Sequence, residues 1–369
     1  MMQTSEFVAP GHPDKIADGV VSYLLDRYLE RDPNVRYAME CQIKDSHVTL
    51  GGEVTSAYMM TEDELKRHVR DAICAIGYTP EYARRWGADN CIDPDALDIV
   101  AHIGAQSPDI SQGVDADGWG DQGIFWGMAT GTEATGFMPL DHTIAKRLGM
   151  WLYEAALNGV LHIGLDIKTQ VTVNDGLVNC VIVAAPTKTE ADADGLREKV
   201  VDWLEANSPY AGTDSIIVNG TGAYVRHASA GDCGTTGRKL VADFYGGYSK
   251  IGGGSPWGKD PSKADVTLNV LARMKALEYL KAHGLDEVRC GISCCIGRSE
   301  IRVSYFDAAD NLLETHPESD PPSHVIETLG LRRPVWEFKC RNGLFAVPNA
   351  ERASWTTAEA FTEPAEFRR

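Results

Sequence analysis

TQVTVNDGLVNCVIVAA, residues 169–185, reads as two β-rich runs, 169–173 and 177–185, flanking Asn174-Asp175-Gly176. An Asn-Asp-Gly between two such runs is a hairpin signal, because those residues accept the positive φ that tight hairpin turns demand. A helical pattern follows over 192–206. Upstream, the runs 36–43 and 48–54 are joined by Lys44-Asp45-Ser46 and lead into a helix that Thr61 and Glu64 open as a capping box and Gly77 stops. Downstream, 289–296 and 300–306 alternate apolar and polar residues, and a short helix is expected near 323–329. Three hairpin-then-helix units without shared sequence imply an α+β fold of three pseudo-symmetric subdomains, divided at 1–105, 106–227 and 228–369. One sheet face per unit needs cover, which a second copy of the chain can supply.

The remaining bulk properties exclude several function classes. At 369 residues, 43% hydrophobic and 24% charged, the chain has the material for two or three domains. A formal net charge of −18 argues against sequence-independent nucleic-acid binding, so an anionic substrate must meet a local cationic cluster. No run approaches the roughly 18 apolar residues of a membrane span, and the start MMQTSEF lacks a basic or apolar leader, which points to the cytoplasm and away from a membrane. Nine cysteines without a CxxC pair or zinc spacing read as reduced, mostly buried thiols.

Three polar segments concentrate charge. Gly11-His12-Pro13-Asp14-Lys15 places an imidazole, a carboxylate and an ammonium at the start of a helix whose face is Ile16, Val20, Leu24 and Tyr28. Backbone N–H groups and the helix dipole attract phosphate there, an Asp can hold Mg²⁺, and a His can donate to a developing oxyanion. A proline-started helix with a capping Asp is the plainer reading of the same residues. The second segment, 231–239, sets Arg238 and Lys239 behind glycines that let backbone approach a ligand; its plainer reading is a solvated loop. The third, 252–265, nearly satisfies the phosphate-loop spacing from Gly253 to Lys259, but Asp260 stands where Ser or Thr should bind Mg²⁺ and Pro256 interrupts the cradle. It leads into a helix bearing Val266, Val270, Met274 and Leu277 on one face. The stretches 106–123 and 231–260 have few apolar residues to hold them, and 352–369 shows little periodicity. Loops that carry Lys, Arg or His beside Asp are what a departing polyphosphate requires, since preorganised charge is usually the largest catalytic contribution.

Together these segments resemble the signatures of the methionine adenosyltransferase family: GHPDKIAD at 11–18, GGE at 51–53, QSPDISQGV at 106–114, GDQG at 120–123, DIKTQVT at 166–172, GDCGTTGRK at 231–239 and GGG…GKDPSKAD at 252–265. The likeness spans roughly residues 4–305 and is weak from Asp307 onward. It implies attack of the methionine sulfur on C5′ of ATP, with release and then cleavage of the triphosphate to pyrophosphate and phosphate. By motif position, His12 stabilises the leaving triphosphate, and Lys15, Lys168, Arg238, Lys239 and Lys259 neutralise phosphate oxygens. Asp14 and Asp265 hold a pair of Mg²⁺ ions per site, and Glu40 holds K⁺. Glu53, Gln106, Asp232 and Lys263 form the methionine pocket. Asp166, Asp121, Tyr224, Ser255 and the backbone of Ile296 contact ribose or adenine, and Asp232 also faces ATP. Residues 106–116 correspond to a loop that closes over the site. The resemblance further implies a homodimer or dimer of dimers with the active site between subunits. The chain departs from the family pattern at Ala223, Thr235 and Val266-Thr267, and the segment between Val114 and Gly120 is short. Ala223 stands where the family usually has Arg or Lys, but none of these changes removes one of the candidate cations or metal ligands named above. Two other readings of the charge set are a γ-phosphoryl-transferring ATPase or kinase, against which Asp260 counts, and a non-catalytic nucleotide-binding paralogue.

Overall fold

The computed structural model of the chain describes residues 2–105, 117–213 and 215–345. Its strands make three four-stranded sheets. The first has the order β1 (Met2–Val8), β6 (Lys168–Asn174), β7 (Leu177–Ala184), β8 (Ile216–Val218). The second runs β4 (Asp98–Gly104), β3 (His47–Thr55), β2 (Arg36–Lys44), β9 (Gly234–Thr235). The third runs β12 (Leu312–Ser319), β11 (Glu300–Phe306), β10 (Glu287–Cys294), β5 (Gly123–Thr130).

Each expected hairpin is present, with Asp175 at φ 48° and Gly176 at φ 80° in the turn between β6 and β7. What local pattern did not announce is the exchange of strands along the chain. β1 pairs antiparallel with β6, bringing Val8 opposite Lys168. β5 pairs with β10, and the two-residue β9 pairs with β2. Hairpin signals are local, whereas the strand that completes each sheet comes from a distant segment.

The helices follow their end signals. Glu62–Ile76 opens on the Thr61–Glu64 capping box and closes at left-handed Gly77, whose missing Cβ leaves room for Leu157. Glu190–Asn207 opens on a second box, Thr189 with Asp192. Leu140–Leu157 packs on β1 and β6, and Ala264–His283 on β5 and β10. The helix Pro13–Leu29 departs from the one-faced expectation. It packs against β2, β9, Glu62–Ile76 and Trp336–Asn342 and is buried on nearly every side, Asp14, Lys15, Asp18 and Asp26 included. A central helix with charges inside must give each one a partner, because an unpaired buried charge costs several kcal/mol (roughly 3–5).

Among the described residues no helix is long and apolar enough to cross a membrane. All nine cysteines are free; Cys41, Cys91, Cys290 and Cys340 are buried and Cys295 is exposed.

Candidate active site

The start of helix Pro13–Leu29 and the 231–239 loop are built into each other. His12 caps the helix, its Nδ1 accepting the Asp14 N–H at 3.1 Å, which leaves the ring proton on Nε2. Burial and the Lys239 ammonium push the imidazole down to about 3, so His12 is a neutral hydrogen-bond donor. The Asp14 side chain is fully buried. It takes the Thr235 N–H at 2.9 Å, the Arg238 guanidinium at 3.0 Å and the Lys239 ammonium. Burial works to raise this carboxyl, and Lys239 with the Thr235 amide outweighs it and holds the group below the usual range. The loop approaches so closely that a Cβ on Gly234 would lie 2.1 Å from the Pro13 carbonyl oxygen, which is why glycine stands there.

Lys168, Asp166, Asp232 and Tyr224 gather beside this pair of elements. Val8 and Lys168 face each other across β1 and β6, and the Lys168 and Asp232 charges both act on His12. Asp166 accepts the Ala228 N–H at 2.9 Å, and burial raises its carboxyl to about 7. Tyr224 lies within reach of that carboxylate, and burial together with Asp166 raises its phenol.

A second group forms where the 252–263 loop crosses β2. Lys259 bridges to Ala38, whose other neighbour is Glu53 on β3. The Lys259 ammonium meets Asp265 at 2.5 Å. Glu40 lies on the exposed side of β2 near Lys259 and Thr236. Desolvation by the protein on one side raises its carboxyl against the pull of that cation and that hydroxyl. Gly254 packs on the Asp265 carboxylate, 2.0 Å from where a Cβ would stand. Ser255 touches Gly237 and so joins the two glycine-rich loops, while Lys263 caps Ala264–His283, 3.9 Å from Asp260. Asp260 does not take part in a phosphate cradle. Its buried carboxylate receives the N–H groups of Tyr37 and Ser262 at 2.8 Å each and pins the loop to β2.

Asp121 and Ile296 lie at the end of the third sheet, where Ile296 bridges to Trp119 and the Cys294 thiol donates to the Asp121 carbonyl at 3.3 Å. Burial raises that thiol to about 12, and both Asp121 and Asp265 are close enough to act on it, which brings this edge next to the second group. Gln106 and the segment 106–116, expected from the sequence to close over the site, lie outside the described residues, as does 352–369. The chain enters that segment from Gly104, which pairs with Glu53.

Comparison with known proteins bears on this arrangement. Sequence profiles for the S-adenosylmethionine synthetase N-terminal, central and C-terminal domains match residues 1–108, 116–224 and 227–356. The S-adenosylmethionine synthase of Nocardia farcinica is 37% identical, the match covering 93% of this chain and 92% of that protein. The chain belongs to the S-adenosylmethionine synthetase family. The S-adenosylmethionine synthase of Clostridium tetani is 32% identical over 94% of this chain and 95% of its own length. The solved structure of an unusual S-adenosylmethionine synthetase from Campylobacter jejuni superposes with a TM-score of 0.83 and 28% identity, covering 100% of this chain and 98% of that one.

In this synthetase Lys15 sits apart from the other candidate cations. Its ammonium is buried between Asp243, at 2.8 Å from both carboxylate oxygens, and Asp18, at 3.0 Å. Both carboxylates hold the ammonium charged, against a burial that would lower it. Asp18, Asp243 and Trp257 were not singled out by pattern, although Asp18 lies inside the first motif one helical turn from Lys15. Tyr78 and Tyr82 were missed as well. They hold the Gly11 carbonyl at 2.6 Å and the Leu165 N–H at 3.0 Å, fixing the segments that carry His12 and Asp166. Single aromatic residues at a helix entry offer no pattern that distinguishes them from ordinary core.

Asp14 and Asp265 fit Mg²⁺. Each is a hard oxygen donor facing cations that a metal and its phosphates can replace, and among the described residues no three His, Cys, Asp or Glu side chains converge. An ion that enters through one carboxylate and takes its other ligands from phosphate and water suits that set.

Proposed function

We infer that this synthetase forms S-adenosylmethionine from ATP and methionine by placing the triphosphate between the His12–Asp14–Arg238–Lys239 cluster and the Lys259–Asp265 pair. The observation that carries the reading is the pairing of a neutral, Nε2-protonated His12 with a carboxylate already surrounded by two cations at one helix start. The methionine sulfur lone pair forms the S–C5′ bond while the C5′–O5′ bond breaks, and the electron pair leaves on the triphosphate. His12 donates to the oxygen that gains this charge, and Lys168, Arg238, Lys239 and Lys259 spread it over the chain. Fixed donors of this kind are worth about 10²–10³ in rate each. The triphosphate, still held by these cations, is then hydrolysed to pyrophosphate and phosphate.

Asp14 and Asp265 hold the Mg²⁺ pair, which supplies charge neutralisation of the phosphates, and Glu40 holds K⁺. Glu53, Gln106, Asp232 and Lys263 bind methionine, with a carboxylate for its ammonium and a lysine for its carboxylate. Asp166, Asp121, Tyr224, Ser255 and the Ile296 backbone receive the nucleoside, and Asp232 also reaches ATP. The homodimer or dimer of dimers, with its site between subunits, belongs to this proposal, as does a cytoplasmic location. Purified protein given ATP, methionine, Mg²⁺ and K⁺, with products followed by chromatography and phosphorus NMR, should yield S-adenosylmethionine with equal phosphate and pyrophosphate. ADP as the nucleotide product would contradict the assignment.

A further inference from the structure

Among the cations expected to meet phosphate, Lys15 instead turns to two buried carboxylates, Asp243 and Asp18. The Lys15 ammonium donates to Oδ1 and Oδ2 of Asp243 at 2.8 Å each and forms an ion pair with Oδ2 of Asp18 at 3.0 Å. The ammonium also lies 4.5 Å from the centre of the Trp257 ring. Side-chain exposures of 3% for Lys15, 0% for Asp18 and 9% for Asp243 shut the group off from bulk solvent. Each carboxylate has a second duty. Asp18 Oδ1 accepts the Gly237 N–H at 2.8 Å, and Asp243 Oδ2 accepts the indole N–H of Trp257 at 2.7 Å.

The three tethered points are each one or two residues from a proposed triphosphate or metal contact. Lys15 follows Asp14, Gly237 precedes Arg238, and Trp257 lies two residues before Lys259. A buried ion cluster is a poor source of stability, because desolvation offsets its Coulomb gain and well-packed apolar residues do as well. What it can supply is a fixed relative placement of its branches.

We propose that Lys15, Asp18, Asp243 and Trp257 form a buried tie that positions the helix start, the 231–239 loop and the 252–263 loop against one another, and that Lys15 serves catalysis through this tie and not through a phosphate. The proposal rests on the placement of the triphosphate given above. Its members are positioning residues. Loss of a branch lets Lys259 or Arg238 drift from the leaving group, and a displacement of about 1 Å can cost about a hundredfold in rate.

The mildest test is Trp257→Phe, which keeps a ring over Lys15 and removes only the indole N–H, paired with Asp243→Asn and the double variant. Thermal unfolding establishes that each is folded. Trp257→Phe should lower kcat for S-adenosylmethionine by about tenfold while KM for ATP and methionine stays within about twofold. Asp243→Asn should lose at least as much, and the double variant no more than Asp243→Asn alone, since the two changes cut one connection. A folded Trp257→Phe protein with wild-type kcat, or losses that simply multiply in the double variant, would overturn the tie. Binding of inorganic tripolyphosphate separates the alternative for Lys15: weakening by Lys15→Met but not by Trp257→Phe would mean that the ammonium meets phosphate itself. A His12→Ala control with full kcat would instead sink the placement of the reaction, leaving the contacts of the tie untouched.

Discussion

The two charged groups of the site are built differently. Around Asp14 the carboxylate is fully buried, receives a backbone N–H and two cations, and sits inside a helix start that a neighbouring loop overlies at glycine contact distance. Around Asp265, in the first turn of Ala264–His283, a single ion pair stands with about a fifth of each side chain exposed, its partner Lys259 lying on a loop pinned to β2 through Asp260. The first arrangement is set before substrate arrives. The second holds carboxylate and cation together by little more than their mutual attraction, so ATP and Mg²⁺ can separate them at small cost. Donors fixed by backbone and burial suit the leaving-group side, and of the two carboxylates Asp265 is the one whose cation an entering metal and nucleotide displace more easily.

The largest expected effect lies in the first group. His12→Ala should reduce turnover by about 10²–10³ with the circular dichroism spectrum preserved and stability lowered by only about 1 kcal/mol, the loss of one helix cap, because it deletes a donor without a buried charge of its own. A rate within a few-fold of wild type would remove His12 from the leaving-group side. Next, Asp14→Asn and Asp265→Asn should both raise the Mg²⁺ needed for half-maximal rate, yet differ in stability. Asp14→Asn leaves two cations without their anion and should cost on the order of 1–3 kcal/mol, the lower part allowing for the half-exposed Arg238. Asp265→Asn should cost about 1 kcal/mol or less, and equal losses in denaturant titrations would erase the contrast between the two groups.

A smaller effect concerns the same central helix away from the substrates. Asp26 receives the N–H groups of Trp336 and Glu337 at 2.9 Å each and so caps the helix Trp336–Asn342. Burial raises its carboxyl to about 7, against an unfolded value of about 4. The native state then binds more protons than the unfolded chain between these values, and this group's contribution to stability falls as pH rises from about 4 to 7. Asp26→Asn should flatten that slope, measured as the difference between wild-type and variant unfolding free energies across the interval. An unchanged slope would show that Asp26 ionises without cost.

Much of this fold could be read from particular residues. Asn174-Asp175-Gly176, the Thr61–Glu64 box and the Gly77 stop are local devices whose geometry follows from the residue types, and each is where pattern placed it. The strand exchanges were not legible, since β9 is two residues long and β5 pairs with β10 more than 150 residues later in the chain. The charge clusters could be listed as candidates but not sorted. Nothing in the run Asp14-Lys15 tells that one side chain meets the 231–239 loop while the other turns to Asp243, 228 residues away. That division is set by burial of the helix on all sides, which the one-faced apolar pattern of Ile16, Val20, Leu24 and Tyr28 did not convey.

The measurement closest to the central claim is calorimetric binding of inorganic tripolyphosphate with Mg²⁺ to wild type, Lys239→Ala and Lys263→Ala. With the triphosphate held at the helix start, Lys239→Ala should weaken binding by about tenfold or more, while Lys263→Ala, on the methionine side, should leave it within about twofold. Equal weakening by both substitutions, or loss only with Lys263→Ala, would contradict the account.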